Sequence, residues 1–197
     1  EHRGFESLRV INDDKVAPGQ GFGSHPHRSI EIFTYLIDGE LKHEDSMGNG
    51  RVIKAGEFQY MSAGNGVMHS EFNPSSEKRV QLLQIWIQPT NPGGEPRYQD
   101  FDLVAHAAGK PMTLIASPNG RDGSIEIRSH GEIFFGQLSE GEIRQEESED
   151  RPYWLHLFQG SLRIDGQALN PGDGARWAGP VPDILAKADS KFLLFAL

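Results

Sequence analysis

Cysteine is missing altogether from the 197 residues. Its absence excludes disulfides, thiolate metal sites and a cysteine nucleophile, and suits the reducing cytoplasm expected for this chain. No stretch approaches the ~18 consecutive apolar residues that a membrane-spanning helix needs, so no membrane contact is expected. Glu1 to Val10 hold no apolar run of signal-peptide type. Basic residues are sparse, 19 Lys and Arg against 28 Asp and Glu, for a net charge of −9. They form no cluster of the kind that neutralises phosphates, so direct nucleic-acid binding is not expected. The acidic surface favours solubility. Long helical patterns are lacking too; the best helix candidate, residues 102–108, is short.

What remains is a strand pattern. The 23 glycines and 12 prolines are spread along the chain and punctuate short apolar runs. Residues 30–37, 80–87, 154–158 and 192–197 are such runs, rich in Val, Ile, Phe, Tyr and Trp, which favour strands. Turn dipeptides lie between runs, among them Asn49-Gly50, Asn119-Gly120, Asp122-Gly123 and Asp165-Gly166. Many short strands at this spacing predict an all-β sandwich or barrel. A weak internal repeat points to two barrels. Leu36-Ile37-Asp38-Gly39-Glu40-Leu41-Lys42 echoes Leu157-Phe158-Gln159-Gly160-Ser161-Leu162-Arg163, and Ala55-Gly56-Glu57 echoes Pro171-Gly172-Asp173. The junction is expected within 96–111, giving an N-terminal barrel over 1–105 and a C-terminal barrel over 106–197. The closing run 192–197 reads as a buried final strand.

The chemistry concentrates in the first half. Residues i and i+2 of a strand share a face, so the two imidazoles of His25-Pro26-His27 can converge on one ion. His69-Ser70-Glu71 repeats that spacing. Each pair follows a glycine-rich stretch, Gly19 to Ser24 and Gly64-Asn65-Gly66, where the backbone can bend sharply. Two such pairs on neighbouring strands would give one cation four ligands: His25, His27, His69 and Glu71. Neutral imidazole with carboxylate suits Fe, Mn, Co, Ni, Cu or Zn. His2, His43, His106, His130 and His156 have no such partners and read as surface or hydrogen-bonded histidines.

These residues resemble the cupin superfamily. Gly19, His25, His27, Glu31 and Gly39 follow the first cupin motif, and Gly64, Gly66, His69 and Asn73 the end of the second. Glu31 stands one place ahead of the usual cupin glutamate, so Glu71 takes the acidic ligand's role. That exchange resembles the pirin family, as do Gly23-Ser24-His25-Pro26-His27-Arg28, Met61-Ser62-Ala63-Gly64, His69-Ser70-Glu71-Phe72-Asn73 and Gln84-Ile85-Trp86-Ile87. The resemblance is strong from Gly4 to Tyr98 and looser beyond. It implies a bicupin, two jelly-roll β-barrels packed together with a metal in the N-terminal one alone. In the second half, Glu146, Ser148 and Leu185 take the positions of His25, His27 and His69, so the ligand set is absent there. The family's members extend further ahead of the position that Gly4 takes here.

Bacterial pirin-like proteins resemble quercetin 2,3-dioxygenases. The resemblance therefore implies a dioxygenase that cleaves quercetin or a related flavonol or enediol with O2, releasing carbon monoxide. Its partners would be a small planar aromatic substrate and O2, on a monomer. Fe2+ is the expected ion, because a redox-active metal suits this chemistry. Glu71 would act as both ligand and proton acceptor. Gly23, Gly64 and Gly66 would leave room beside the ion. Phe33, Tyr60, Met61, Met68, Phe72 and Trp86 would line the pocket or fill the barrel core. The resemblance also implies another function, a non-catalytic iron-dependent regulator that binds a transcription factor or a metabolic enzyme. A metal-binding protein without catalysis is a third reading.

Overall fold

The computed structural model describes residues 4–144 and 150–197. His2, Glu146 and Ser148 lie outside the described residues. The chain forms two compact units. The first runs to Ala105 and takes in Ile127–Ser129; the second comprises His106–Glu126 and His130–Leu197. None of the described helices is long and apolar enough to cross a membrane.

The first unit contains β1 (Leu8–Val16), β2 (Gly21–His27), β3 (Glu31–Asp38), β4 (Glu40–Asp45), β5 (Gly50–Lys54), β6 (Glu57–Ser62), β7 (Val67–Phe72), β8 (Val80–Ile87) and β9 (Arg97–Asp102). They pair into a five-stranded sheet, β1-β8-β3-β6-β9, and a four-stranded sheet, β2-β7-β4-β5. Every pairing in them is antiparallel. The sheets face each other across a shared core of Val16, Leu36, Leu41, Ile53, Val80 and Leu82, drawn from both. Each fully buried leucine here contributes about 1.5–3 kcal/mol of apolar transfer.

Sequence pattern follows sheet position. The central strand β3 is buried at six successive residues, Glu31 to Leu36, so its run is continuously apolar apart from Glu31 and Thr34. β7 lies in the smaller sheet and alternates: Val67, His69 and Glu71 are buried, Met68 and Phe72 exposed. Gly21 is required where β2 crosses β7, because a Cβ there would lie 2.2 Å from the carbonyl oxygen of Glu71.

Helix α1 (Leu103–Ala107) follows β9, where the short helix was expected. The second unit adds β10 (Met112–Ser117), β11 (Ile125–Glu126), β12 (Glu132–Leu138), β13 (Ile143–Arg144), β14 (Pro152–Ile164), β15 (Gln167–Leu169), β16 (Gly174–Ala178) and β17 (Ile184–Ala196). Its sheet runs β11-β10-β12-β17-β14-β15, with β13 on β17 and β16 on β14. The closing run 192–197 falls largely in β17, which pairs with β12, β13 and β14. Leu155, Leu157, Leu162, Ile184, Phe192 and Leu194 anchor the core. The repeated glycines adopt matching backbones. Gly39 and Gly160 have φ of 82° and 87°, and Gly56 and Gly172 have 86° and 94°, a left-handed conformation open mainly to glycine.

Candidate metal centre

Strands β2 and β7 set the centre by their register. His25 lies opposite His69, His27 opposite Val67, and Phe22 opposite Glu71. Residues directly opposite share a face of the sheet, so all six point to the same side. The register shifts between Phe22 and His25: β2 advances three residues while β7 advances two. This bulge re-aims the chain, which is why Phe22 joins the histidine face despite its odd spacing. On the other side of β7, β4 places His43 opposite Glu71 and Asp45 opposite His69.

The three predicted histidines meet. Their ligand-capable nitrogens lie within 4.8 Å of one another. His25 Nε2 is 3.0 Å from His69 Nε2, and the ring centroids are 4.4–4.8 Å apart. Glu71 belongs to a second set of the same compactness, with His69 and His43. The two sets share His69, which places the carboxylate beside the three-histidine cluster rather than inside it.

Burial sets the electrostatics. It lowers the His69 imidazole to about 3 and the His27 imidazole to about 4, and the neighbouring rings add to both effects. Both rings are therefore neutral at pH 7 and present lone pairs. His25 donates its Nδ1–H to the Gly23 carbonyl at 2.8 Å, which turns the Nε2 lone pair toward the other rings. Such backbone anchoring of the far nitrogen is usual in metal-ligating histidines. His27 Nε2 is buried with no hydrogen-bond partner. At 3.0 Å a ring N–H of His69 can donate to His25 Nε2; the unpartnered His27 Nε2 and the convergence of all three rings fit a divalent ion in place of that proton. Burial raises the Glu71 carboxyl, against the opposing pull of hydrogen bonds from Thr34 and Gln84.

Several expectations change. His43 is wholly buried. It is hydrogen-bonded, as expected, with Nδ1 accepting from Gln59 at 3.1 Å and Nε2 donating to Asp45 at 3.2 Å. Yet it also stands against His69 and Glu71, so it has partners the sequence reading did not give it. The signal was alternation, which puts His43 on the buried face of Leu41. Phe33, Tyr60 and Met61 are at most 1% exposed and fill the core. Phe72 is exposed on the face of β7 opposite to Glu71, and Gly64 packs against the backbone of Gly94 to Pro96. Neither lines the centre. Met68 is exposed on the same outward face as Phe72; with Pro26, Arg28, Ser46, Gly66 and Val67 it lines an open depression of about 450 Å³ that reaches the centre through His27. Glu31 accepts hydrogen bonds from Tyr60, from Ser62 at 2.6 Å and from the Arg128 backbone at 3.2 Å, so it is engaged away from the centre. His106 and His130 are exposed. Among the described residues, both groups able to hold an ion lie in the first unit; Leu185 sits in β17 of the second.

Comparison with known proteins defines the family. The Pirin family model matches residues 1–87, and a model for the quercetinase C-terminal cupin domain matches 114–197. The chain is 44% identical over 198 residues to the quercetin 2,3-dioxygenase of Escherichia coli K12, covering 98% of this chain and 84% of that one. This chain belongs to the pirin family. The crystal structure of the bacterial pirin YhhW from E. coli in complex with nickel(II) superposes with a TM-score of 0.93 at 41% identity, covering 99% of this pirin and 84% of that chain. A Pasteurella multocida relative named as a putative quercetin 2,3-dioxygenase is 44% identical, covering 100% of this pirin and 85% of the relative. A quercetin 2,3-dioxygenase structure from Acinetobacter baumannii, 23% identical with a TM-score of 0.77, shares the fold. The architecture is thus the bicupin that the motifs implied.

Proposed function

We propose that this pirin is a metal-dependent dioxygenase that opens a flavonol or related enediol with O2, with quercetin as the test substrate. The observation that carries this reading is the convergence of three imidazoles beside a buried carboxylate, with His27 on the wall of an open depression. The dioxygenase names of its E. coli and P. multocida relatives and the nickel complex of YhhW support it.

His25, His27, His69 and Glu71 would hold the ion. When bound, a divalent metal, Fe2+ in this reading, supplies Lewis acidity toward a substrate hydroxyl and redox chemistry toward O2. The protein's own part is proton handling and exclusion of water. Glu71 takes the proton of the enol hydroxyl; its burial makes it a stronger base than an exposed glutamate. Thr34 and Gln84 hold that carboxylate in one orientation. His25 keeps its aim through the Gly23 carbonyl. The depression beside Met68 and Gly66, about 450 Å³ in volume, would be the approach by which a small ring reaches His27. Both oxygen atoms enter the substrate, and one ring carbon leaves as carbon monoxide.

The test is oxygen uptake and carbon monoxide release when quercetin is added to protein loaded separately with Fe2+, Ni2+, Mn2+ or Zn2+. Turnover is expected with a redox-active ion and is lost in His69→Ala. Background uptake with every metal, equal in wild type and His69→Ala, sinks the proposal; the regulator implied by the family resemblance predicts that result.

A further inference from the structure

The ligand strands β2 and β7 lie in the four-stranded sheet, whereas the groups that brace them come from the five-stranded sheet opposite. Gln84 and Trp86 stand at i and i+2 on β8 and so share a face. Trp86 Nε1–H donates to Gln84 Oε1 at 3.2 Å. An indole nitrogen can only donate, so this bond fixes which end of the amide is oxygen. The amide nitrogen then points the other way and donates to Glu71 Oε2 at 2.7 Å. The second carboxylate oxygen, Oε1, accepts from Thr34 Oγ1 at 3.2 Å. Thr34 is 1% exposed and Gln84 9%. The same indole meets the His27 ring edge-on, 5.1 Å between centroids at 83°.

We infer that Gln84, locked by Trp86, is the positioning residue of the metal centre, and that one indole couples the Glu71 arm to the His27 arm. The inference rests on the reading of Glu71 as a ligand. A buried glutamine within an apolar strand has a cost unless its amide is fully used; here both ends are used, and in one direction only. Without the tryptophan N–H, the amide could flip and present its oxygen to the carboxylate. Without the amide, Glu71 loses the donor on one oxygen and is free to turn. Outer partners of this kind typically change metal affinity by about 10- to 100-fold.

The test uses the full chain and nickel(II) alone, with affinity read by calorimetry and ligand geometry by the visible spectrum of the cobalt(II) form. Gln84→Met keeps length and bulk but removes the donor. It is expected to weaken nickel binding by about 10- to 100-fold and to alter the cobalt spectrum, with catalysis playing no part in either readout. Trp86→Phe keeps a ring against His27 and removes only the N–H, so a smaller loss in the same direction is expected; it carries the test if Gln84→Met does not fold. Gln81→Met, on the same strand but with its exposed amide on Asp13, should bind nickel as wild type does. Unchanged affinity in Gln84→Met, or an equal loss in Gln81→Met, overturns the inference. Glu71→Gln separates the two layers. If it binds nickel normally, the ligand reading falls and the inference with it; if it weakens nickel while Gln84→Met does not, the inference alone falls.

Discussion

Acid should destabilise the metal-free protein through His69. The perturbation is a shift from pH 7 to pH 5 after removal of metal with a chelator. The unfolded ring has its ordinary value of 6.5, whereas the folded ring lies near 3. At pH 5 the unfolded chain therefore carries a proton on this ring and the folded chain does not. Stability then falls as pH falls, because the unfolded state binds more protons. The contribution is fully present above pH 6.5, declines below it, and levels off near pH 3 as the folded ring protonates. Each pH unit is worth 1.36 kcal/mol, so the 1.5 units between 6.5 and 5 give about 2 kcal/mol. His69 is only 1% exposed, so this figure needs no discount for solvent. His27 acts in the same sense with a smaller effect, since it is half-open to water. Glu71, raised by burial, acts in the opposite sense, so the wild-type curve alone does not isolate the ring. The assay is urea unfolding of wild type and His69→Gln at both pH values. Wild type should lose about 2 kcal/mol more than the variant. Parallel losses in the two proteins would refute the argument that packing keeps this imidazole neutral.

Saturating nickel, at about 100 times its dissociation constant, should add about 2.7 kcal/mol of stability and raise the melting temperature by about 5–10 °C. Calorimetric scans with and without nickel check this, and the shift should shrink below pH 6 as protons compete for the ligands. Tyr60→Phe removes a donor from buried Glu31 and should cost about 1–3 kcal/mol in urea unfolding. It should leave nickel affinity unchanged; weakened nickel binding would tie Glu31 to the metal centre after all. In the second unit, Gly136→Ala would place a Cβ 2.2 Å from Cζ of the fully buried Phe192 ring. Overpacking of that kind costs about 1–3 kcal/mol, measured by the same unfolding assay, and it should spare nickel binding.

The centre was legible in the sequence to the extent that it obeys a period of two. His25 and His27, and His69 and Glu71, advertise a shared face because each pair sits on one strand. The glycine repeat was legible as well: Gly39 and Gly160 share a left-handed backbone, Gly39 between β3 and β4 and Gly160 at a register shift within β14. What escaped is what only pairing between strands creates. Phe22 joins the histidine face through a bulge, and no alternation rule places residue 22 with residues 25 and 27. Gln84 and Thr34 reach Glu71 from an opposing sheet, with Trp86 on Gln84, a relation fixed by tertiary packing of strands far apart in sequence. A hint was present, since Gln84 and Thr34 interrupt otherwise apolar buried runs, and a polar side chain at such a place needs a partner. The sequence left Phe33, Tyr60 and Met61 between pocket and core because a bulky side chain in a barrel strand serves packing or binding according to which sheet it faces, and composition is silent on that.

The edge-on contact between Trp86 and His27 also gives the protein a built-in optical gauge. The other two tryptophans, Trp154 and Trp177, belong to the second unit. Emission from Trp86 therefore arises beside one of the three imidazoles, 5.1 Å from the His27 ring centroid. Open-shell ions such as nickel(II) or copper(II) should darken that emission on arrival, and closed-shell zinc(II) should shift its colour instead. Metal loading, exchange and loss can thus be followed in unlabelled material, one cation at a time.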